Sequence, residues 1–116
     1  MLLDPGKMNK RVRFERPTLA GDSRFGGGER IWTEVCTVWA EVLDILPSRS
    51  ESAPQGVEID ARPARVRIRA RPGLSPDMRL VVMGTVPRVM HIAAGPASID
   101  RGAGLEFMAQ EISTNG

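Results

Sequence analysis

Hydrophobic and polar residues alternate along several short stretches of the chain, and glycine and proline separate these stretches. In residues 10–16, Val12 and Phe14 alternate with charged side chains, which is the period of a strand with one buried face. We predict that Pro17 ends this strand. Residues 18–29 contain four glycines and are therefore predicted to form a long turn.

A second strand is predicted from Ile31 to Leu43, where β-branched residues and tryptophan are frequent. Its hydrophobic residues change face, because Trp32 and Val38 are at even-numbered positions whereas Val35 and Trp39 are at odd-numbered positions, which a regular strand places on opposite faces. A change of face within one strand indicates a β-bulge. A helix over residues 35–46 is the competing prediction.

The stretch between Leu46 and Pro63 is polar and shows no periodicity. A connection of this length without secondary structure is uncommon in a small domain, and such loops are usually functional or disordered. Residues 46–63 are therefore the first place to search for a functional segment.

Residues 65–71 alternate without interruption, and we predict that Val66, Ile68 and Ala70 point into the core. The opposite face then carries a row of positive charges. This row has two interpretations: a solvated face paired with carboxylates such as Glu34 or Glu41, or a face directed at a polyanion or a neighbouring subunit. We define the arginine row as Arg65, Arg67, Arg69 and Arg71.

Three more strands complete the prediction, each bounded by residues that favour turns. Six short strands with one inserted loop predict an all-β domain over residues 1–116, a small antiparallel β-barrel or sandwich. The predicted strands are 78–83, 86–93 and 105–112, and the predicted turns are at 72–73, Gly84, Gly95-Pro96 and 101–104.

Composition fits one ordinary domain, since 116 residues with 41% hydrophobic and 26% charged residues leave no room for a second core. Cys36 is the only cysteine, which excludes an internal disulfide. We expect neither a membrane span nor a signal peptide, because no apolar run is long enough and the N-terminus lacks a cationic start.

The net charge of +2 is too small for a dedicated nucleic-acid binder. Arginine nevertheless far exceeds lysine, since Lys7 and Lys10 are the only lysines. Either a GC-rich genome favours arginine codons, or the chain makes many polar contacts between subunits, for which the planar guanidinium is suited. Composition does not decide between these explanations.

The sequence offers little support for an enzyme or for a bound cofactor. The single histidine, His91, lies in an apolar strand, and we predict that it is partly buried and structural. A pairing with Cys36, or a triad with a serine and Asp100, lacks any local motif. One cysteine and one histidine do not supply a zinc site without carboxylates, and the glycines at 26–28 do not form a phosphate-binding loop. We therefore expect no catalytic residue, metal or cofactor.

A barrel that binds single-stranded nucleic acid as a monomer is a rival from a different functional class. Such barrels combine a basic groove with stacking aromatic residues. This chain has no tyrosine, three phenylalanines and two tryptophans, most of which the core requires. The composition therefore disfavours this rival.

Several short segments form a recognisable pattern through their order and spacing. They are Asp4 to Val12, Trp32, Val38 to Val42, Val66 to Arg69, Met78 to Val81, Gly84 and His91-Ile92. Together they resemble the head–tail joining family of long-tailed bacteriophages, with its relatives in prophages and gene transfer agents. The resemblance covers Leu3 to Ile112 and departs locally at residues 87–90, where the family commonly has an aromatic residue. The positions that match as structural residues are Gly6, Trp32, Trp39, Ala40, Arg69, Arg79, Gly84 and Ile92.

The resemblance implies a head-closure, or stopper, protein of the virion that is made in the cytoplasm of the bacterial host. Such a protein is a small β-barrel that assembles as a six- or twelve-fold ring between the portal or adaptor and the tail. The ring extends the channel for double-stranded DNA, which it contacts without sequence specificity, retains the packaged genome and docks the tail.

Within such a ring, we expect exposed strand edges and the arginine row to provide contacts between subunits. The polar loop is the candidate channel gate. Tail terminators and other neck proteins are the alternatives, although an adaptor is expected to be largely helical. The candidate gating residues are Ser48, Arg49, Ser50, Glu51, Gln55, Gly56, Glu58 and Asp60.

Overall fold

In the part of the chain that the structure describes, six antiparallel strands close into a single barrel, which confirms the predicted all-β barrel. The computed structural model describes residues 2–20, 29–46 and 62–111. Around the barrel, the strands follow the order β1-β2-β3-β6-β5-β4. They are β1 (Lys10–Ala20), β2 (Glu29–Asp44), β3 (Pro63–Arg69), β4 (Arg79–Val82), β5 (Arg88–Ile99) and β6 (Gly104–Glu111), with short 3-10 turns at Pro5–Lys7 and Asp100–Gly102.

Side chains fill the interior of the barrel, so that it is a packed core and not a pore. The rings of Phe14 and Phe107 lie at its centre, with their centroids 5.3 Å apart and tilted by 49°, a favourable arrangement for an aromatic pair. Both rings are fully buried. Other fully buried side chains around them are Val12, Val66, Ile68, Leu80 and Met90.

Strand β1 continues through Pro17, so the predicted end of the strand is wrong. Strand β1 pairs with β4 only over Val12 to Glu15, and beyond that point it pairs with β2 alone, with Pro17 opposite Trp32. Proline is tolerated where a strand lacks a partner on one side, since its missing N–H is then not needed. The predicted turn at 18–29 is therefore too long, because residues 18–20 and 29 belong to strands, while residues 21–28 lie outside the described residues.

The predicted β-bulge in the second strand is confirmed. Phe14 pairs with Cys36, whereas the next residue of β1 pairs with Glu34, so Val35 is the extra residue. This insertion changes which residues face inward, and both Val35 and Val38 pack against the core. The competing helix is wrong, since β2 extends from Glu29 to Asp44.

Strand β3 matches the predicted alternation only in part. Val66 and Ile68 are fully buried, but the strand ends at Arg69, and the prediction that Ala70 points into the core is wrong because Ala70 is exposed. The last pair with β6 joins Arg69 and Gly104. The Ala70 N–H still donates to the Ala103 carbonyl oxygen at 2.9 Å, but the strand has ended, so Ala70 lies past the last buried layer of β3.

The predicted turn at Gly95-Pro96 is also wrong, because β5 continues through it to Ile99. The register with β6 shifts around this point, between Ile92 and Ala97. Gly95 has a φ of +104°, and a Cβ atom there would lie 2.7 Å from the carbonyl oxygen of Glu106. Glycine is therefore required by the close approach of two strands and not by a turn.

Closure of the barrel limits the contacts that strand edges provide. Each of the six described strands pairs with a neighbour on both sides over part of its length. The expectation of generally exposed edges is therefore too broad, and side chains on the outer face must carry most contacts with other molecules. Of the predicted loop at 46–63, residues 47–61 lie outside the described residues, as does Ile112.

Candidate interaction surface

The first half of the arginine row is paired with carboxylates in the barrel wall. Arg67 lies between Glu41 on β2 and Glu106 on β6, and its Nε donates to Glu106 Oε1 at 2.8 Å. Arg65 Nη2 lies 3.6 Å from Glu41 Oε2. Arg67 and Glu41 are both less than 10% exposed. These contacts link three adjacent strands and confirm that Glu41 pairs with the arginine row across the sheet. Glu34, the other carboxylate suggested by the sequence, instead accepts a hydrogen bond from Thr37.

A second cluster of charges is centred on Glu15, whose side chain is 8% exposed. Arg13 Nε donates to Glu15 Oε2 at 2.8 Å, and Arg79 Nε donates to Glu15 Oε1 at 2.7 Å. The guanidinium of Arg79 also lies 4.4 Å from the centre of the Trp32 ring, within cation–π range. Two positions of the family-like pattern, Trp32 and Arg79, thus meet in one cluster.

Arg88 connects the ends of three strands. Its Nη2 donates to Asp44 Oδ1 at 2.8 Å and its Nε donates to Glu111 Oε1 at 3.1 Å. Burial by itself lowers the pKa of Arg88, but the two carboxylates outweigh this effect and raise that pKa above its ordinary value. Arg88 therefore stays charged and fastens the start of β5 to the ends of β2 and β6.

The second half of the arginine row lies in a different environment. Arg69 and Arg71 are exposed, and neither forms an ion pair with a described residue. They line a depression of about 330 Å³ beside Trp39, whose side chain is 52% exposed. Arg11 lines the same depression, and its guanidinium lies 4.9 Å from the centre of the Trp39 ring. We call this surface the Trp39 face: Trp39, Arg11, Arg69 and Arg71.

The Trp39 face lies where the β2–β3 ladder ends. The last β2–β3 pair toward this face joins Glu41 and Arg67, so the strand segments beyond it border the depression without pairing to each other. Trp39 and Arg69 belong to the family-like pattern in the sequence, whereas no contribution of Arg11 to an interaction surface was predicted. The alternation of residues 10–16 placed Arg11 on the outer face of β1, and only the register with β2 brings it opposite Trp39.

The other family-like positions lie in the core or in turns. Ala40 is fully buried and Ile92 is 8% exposed. Gly6 lies in the first 3-10 turn, where its N–H donates to the Asp4 carboxylate. Gly84 follows β4 and is exposed. The candidate gating residues from Ser48 to Asp60 lie outside the described residues.

The residues considered for catalysis or metal binding do not form a site in the described part of the chain. The prediction of a partly buried His91 is wrong, because His91 is exposed on β5, opposite Arg79 and Gln110 on the outer face. Cys36 is buried; its burial raises the pKa of the thiol, Arg71 lowers it to a smaller extent, and Glu34 raises it further.

Within the described ranges, no group of three or more histidine, cysteine, aspartate or glutamate residues is placed to hold a metal ion. No helix in the described residues is sufficiently long and apolar to cross a membrane.

Comparisons with known proteins agree with this architecture. The protein-family model for the phage head completion protein family matches residues 3–112 of this chain. The solution structure of protein SF1141 from Shigella flexneri 2a superimposes with a TM-score of 0.70 at 23% identity, covering 97% of this chain and 100% of that one. A chain of the native gene transfer agent virion superimposes with a TM-score of 0.65 at 27% identity, covering 90% of this chain and 94% of that one. A search of curated protein sequences found no match.

Proposed function

The chain belongs to the phage head completion protein family, and from this membership we propose that it is the head-closure, or stopper, protein of a phage or phage-like particle. It is a structural protein of the virion that acts at the connector of the head. The similarity to a chain of a gene transfer agent virion supports this location. In the proposal, the protein closes the connector after packaging, retains the DNA and offers a docking surface to the tail.

The packed barrel interior is the observation that carries the proposed ring. Phe14, Phe107 and Ile68 are fully buried inside the barrel, so DNA has no path through one subunit. A channel for DNA must then lie between several copies, which requires contacts that repeat around a closed ring. Six or twelve copies both satisfy this requirement. In the proposal, the portal or adaptor ring lies above, and the tail terminator or tail tube lies below.

The arginine row in this proposal faces outward or toward neighbouring proteins and not toward the DNA. Arg65 and Arg67 are already paired with Glu41 and Glu106, which leaves them little capacity to neutralise phosphates. A dense ring of unpaired arginines around the channel would hold DNA tightly at low salt. A channel that releases DNA functions better without such adhesion.

The segment from Ser48 to Asp60 is the proposed gate. It joins the end of β2 to the start of β3, and its residues are mostly small or polar. Its length and composition support a role in narrowing the lumen, because a segment of this kind reorders without disrupting the barrel core. Passage of DNA then requires only the segments, and not the barrels, to move.

Shortening this segment tests the gate. Particles are assembled with a variant in which residues 48–60 are replaced by a short glycine-serine turn, and with a control in which the same residues are kept but scrambled. We expect the shortened variant to assemble in the neck and to lose packaged DNA, measured as nuclease-sensitive DNA per particle. Full DNA retention by the shortened variant would place the gate elsewhere.

Cryo-electron microscopy of the same particles tests the location independently. We expect six or twelve copies of the barrel between the portal complex and the tail. Copies that remain with isolated tails after heads and tails are separated would identify a tail terminator, and copies absent from the neck would overturn the proposed function.

A further inference from the structure

The carboxylates of the described residues are already engaged within the chain. Each one whose side chain is described accepts at least one hydrogen bond or ion pair, from a backbone N–H, a hydroxyl or a guanidinium. They are Asp4, Glu15, Glu34, Glu41, Asp44, Asp77, Asp100, Glu106 and Glu111.

The Trp39 face, in contrast, concentrates positive charge that no described carboxylate neutralises. Arg69 and Arg71 are exposed there without an ion pair to a described residue, and the Arg11 guanidinium, which lies against the Trp39 ring, likewise forms no ion pair with a described residue. Each guanidinium offers several N–H donors in a planar arrangement suited to a carboxylate. The face is therefore complementary to an anion from another molecule.

The shape and lining of the Trp39 face indicate what carries that anion. The depression of about 330 Å³ has apolar walls from Met8, Val38 and Ala70 in addition to the arginines. A second depression, of about 390 Å³, lies beside Trp39 at Met8 and Asn9. An exposed tryptophan that borders two depressions, with arginines beside it, is the composition found at the energetic centres of protein interfaces.

We infer that the Trp39 face binds an extended acidic segment of a different protein of the particle, in which a carboxylate lies close to an aliphatic side chain. The carboxylate pairs with Arg69 and Arg71, and the aliphatic side chain packs on Trp39. The segment would lie along the strand borders beyond Glu41 and Arg67, which do not pair with each other. This inference rests on the proposed function for its choice of partner, a protein of an adjoining ring.

Two other occupants fit the observations less well. Duplex DNA presents phosphates but no aliphatic group to fill an apolar depression beside Trp39. A second copy of this chain offers, on its described surface, only carboxylates that are already engaged. A different protein with a free acidic segment satisfies both the charge and the shape.

Site-specific cross-linking in assembled particles tests this inference. Ala70 lies between the two arginines and is exposed, so the photo-reactive amino acid p-benzoylphenylalanine is introduced there by amber suppression. The matched control carries the same amino acid at Ala97, an exposed alanine on β5. After irradiation, the cross-linked peptide is identified by mass spectrometry, and cryo-electron microscopy records whether the protein is in the neck.

We expect a cross-link from position 70, absent from position 97, to a segment of another particle protein that contains Asp or Glu within a few residues. Arg69→Glu should lower the yield of this cross-link by about tenfold or more, as expected for an interface hot spot. A lysine at the identified carboxylate should restore the yield in the Arg69→Glu background.

The inference is overturned by a cross-link to DNA, to this chain itself or to a segment without a carboxylate, and equally by intact neck assembly with no cross-link from position 70. Failure of the proposed function gives a different result, since the protein would then be missing from the neck in the micrographs. A carboxylate-dependent cross-link outside the neck would support acidic-segment binding while rejecting head closure.

Discussion

Charge reversal at Arg67 and at Arg69 should have very different effects on folding, although the two residues are close together on β3. The Arg67 side chain is 11% exposed and donates to Glu106 at 2.8 Å, and Glu41 lies opposite it on β2. Arg69 is exposed and makes no ion pair with a described residue. Arg67→Glu therefore places a third carboxylate in the barrel wall, whereas Arg69→Glu changes only the surface charge.

The size of the difference follows from these contacts. Loss of the charge-assisted hydrogen bond to Glu106 costs about 1.5–3 kcal/mol. Repulsion between carboxylates roughly 5 Å apart adds about 3 kcal/mol at an effective dielectric constant of about 20. The sum of about 4–6 kcal/mol is a large part of the roughly 6–17 kcal/mol that stabilises a domain of this size. Arg69→Glu should change the free energy of unfolding by no more than about 0.5 kcal/mol.

Thermal and urea unfolding followed by circular dichroism measure both variants. We expect Arg67→Glu to lower the Tm by about 15 °C or more, or to prevent folding, and Arg69→Glu to stay within about 3 °C of the wild type. Arg67→Gln is the matched control, because it removes the ion pair without adding repulsion and should lose only about 1.5–3 kcal/mol.

Two results would refute this reasoning. Equal destabilisation by Arg67→Glu and Arg69→Glu would show that the arginine row is not divided into a paired and an unpaired half. If Arg67→Glu were as stable as the wild type, the carboxylates of Glu41 and Glu106 would not lie close enough to position 67 to repel the introduced carboxylate. The expected result makes Arg69→Glu the appropriate variant for assembly experiments, since its fold remains intact.

Three further predictions concern the barrel itself. Glu15→Gln should lower the free energy of unfolding by about 2 kcal/mol in urea titrations, because two guanidiniums lose their charged acceptor; a change below about 0.5 kcal/mol would contradict this role. Gly95→Ala should lower the Tm by about 8 °C or more, because its Cβ would meet the Glu106 carbonyl oxygen at 2.7 Å and its φ is positive; an unchanged Tm would show that the strands move apart at no cost. Burial raises the pKa of Cys36, so the contribution of this thiol to the free energy of unfolding should be complete below about pH 8.5 and decline as the pH rises through the raised pKa. The Cys36→Ala variant should lack this decline. Identical dependence of the free energy of unfolding on pH in the variant and the wild type would contradict the prediction.

The local pattern of the sequence was sufficient to predict an all-β domain of six strands, and the family resemblance then favoured the barrel over the sandwich. Alternation at Val12 and Phe14, and again at Val66 and Ile68, reflects the two-residue period of a strand with one face in a core, and the structure buries all four. The face change near Val35 predicted the bulge for the same local reason. Three of the predictions that failed, at Pro17, Ala70 and Gly95, concern where a strand has a partner, which depends on residues distant in the sequence.

The sequence by itself determined the fold class and the presence of an arginine row, because both depend on neighbouring residues. Only the tertiary structure decided what each arginine does. The register of β3 between β2 and β6 places Arg67 beside Glu41 and Glu106, and the end of the β2–β3 ladder leaves Arg69 and Arg71 beside Trp39. An ion pair requires proximity in space, and strand pairing creates that proximity between residues that no local pattern connects.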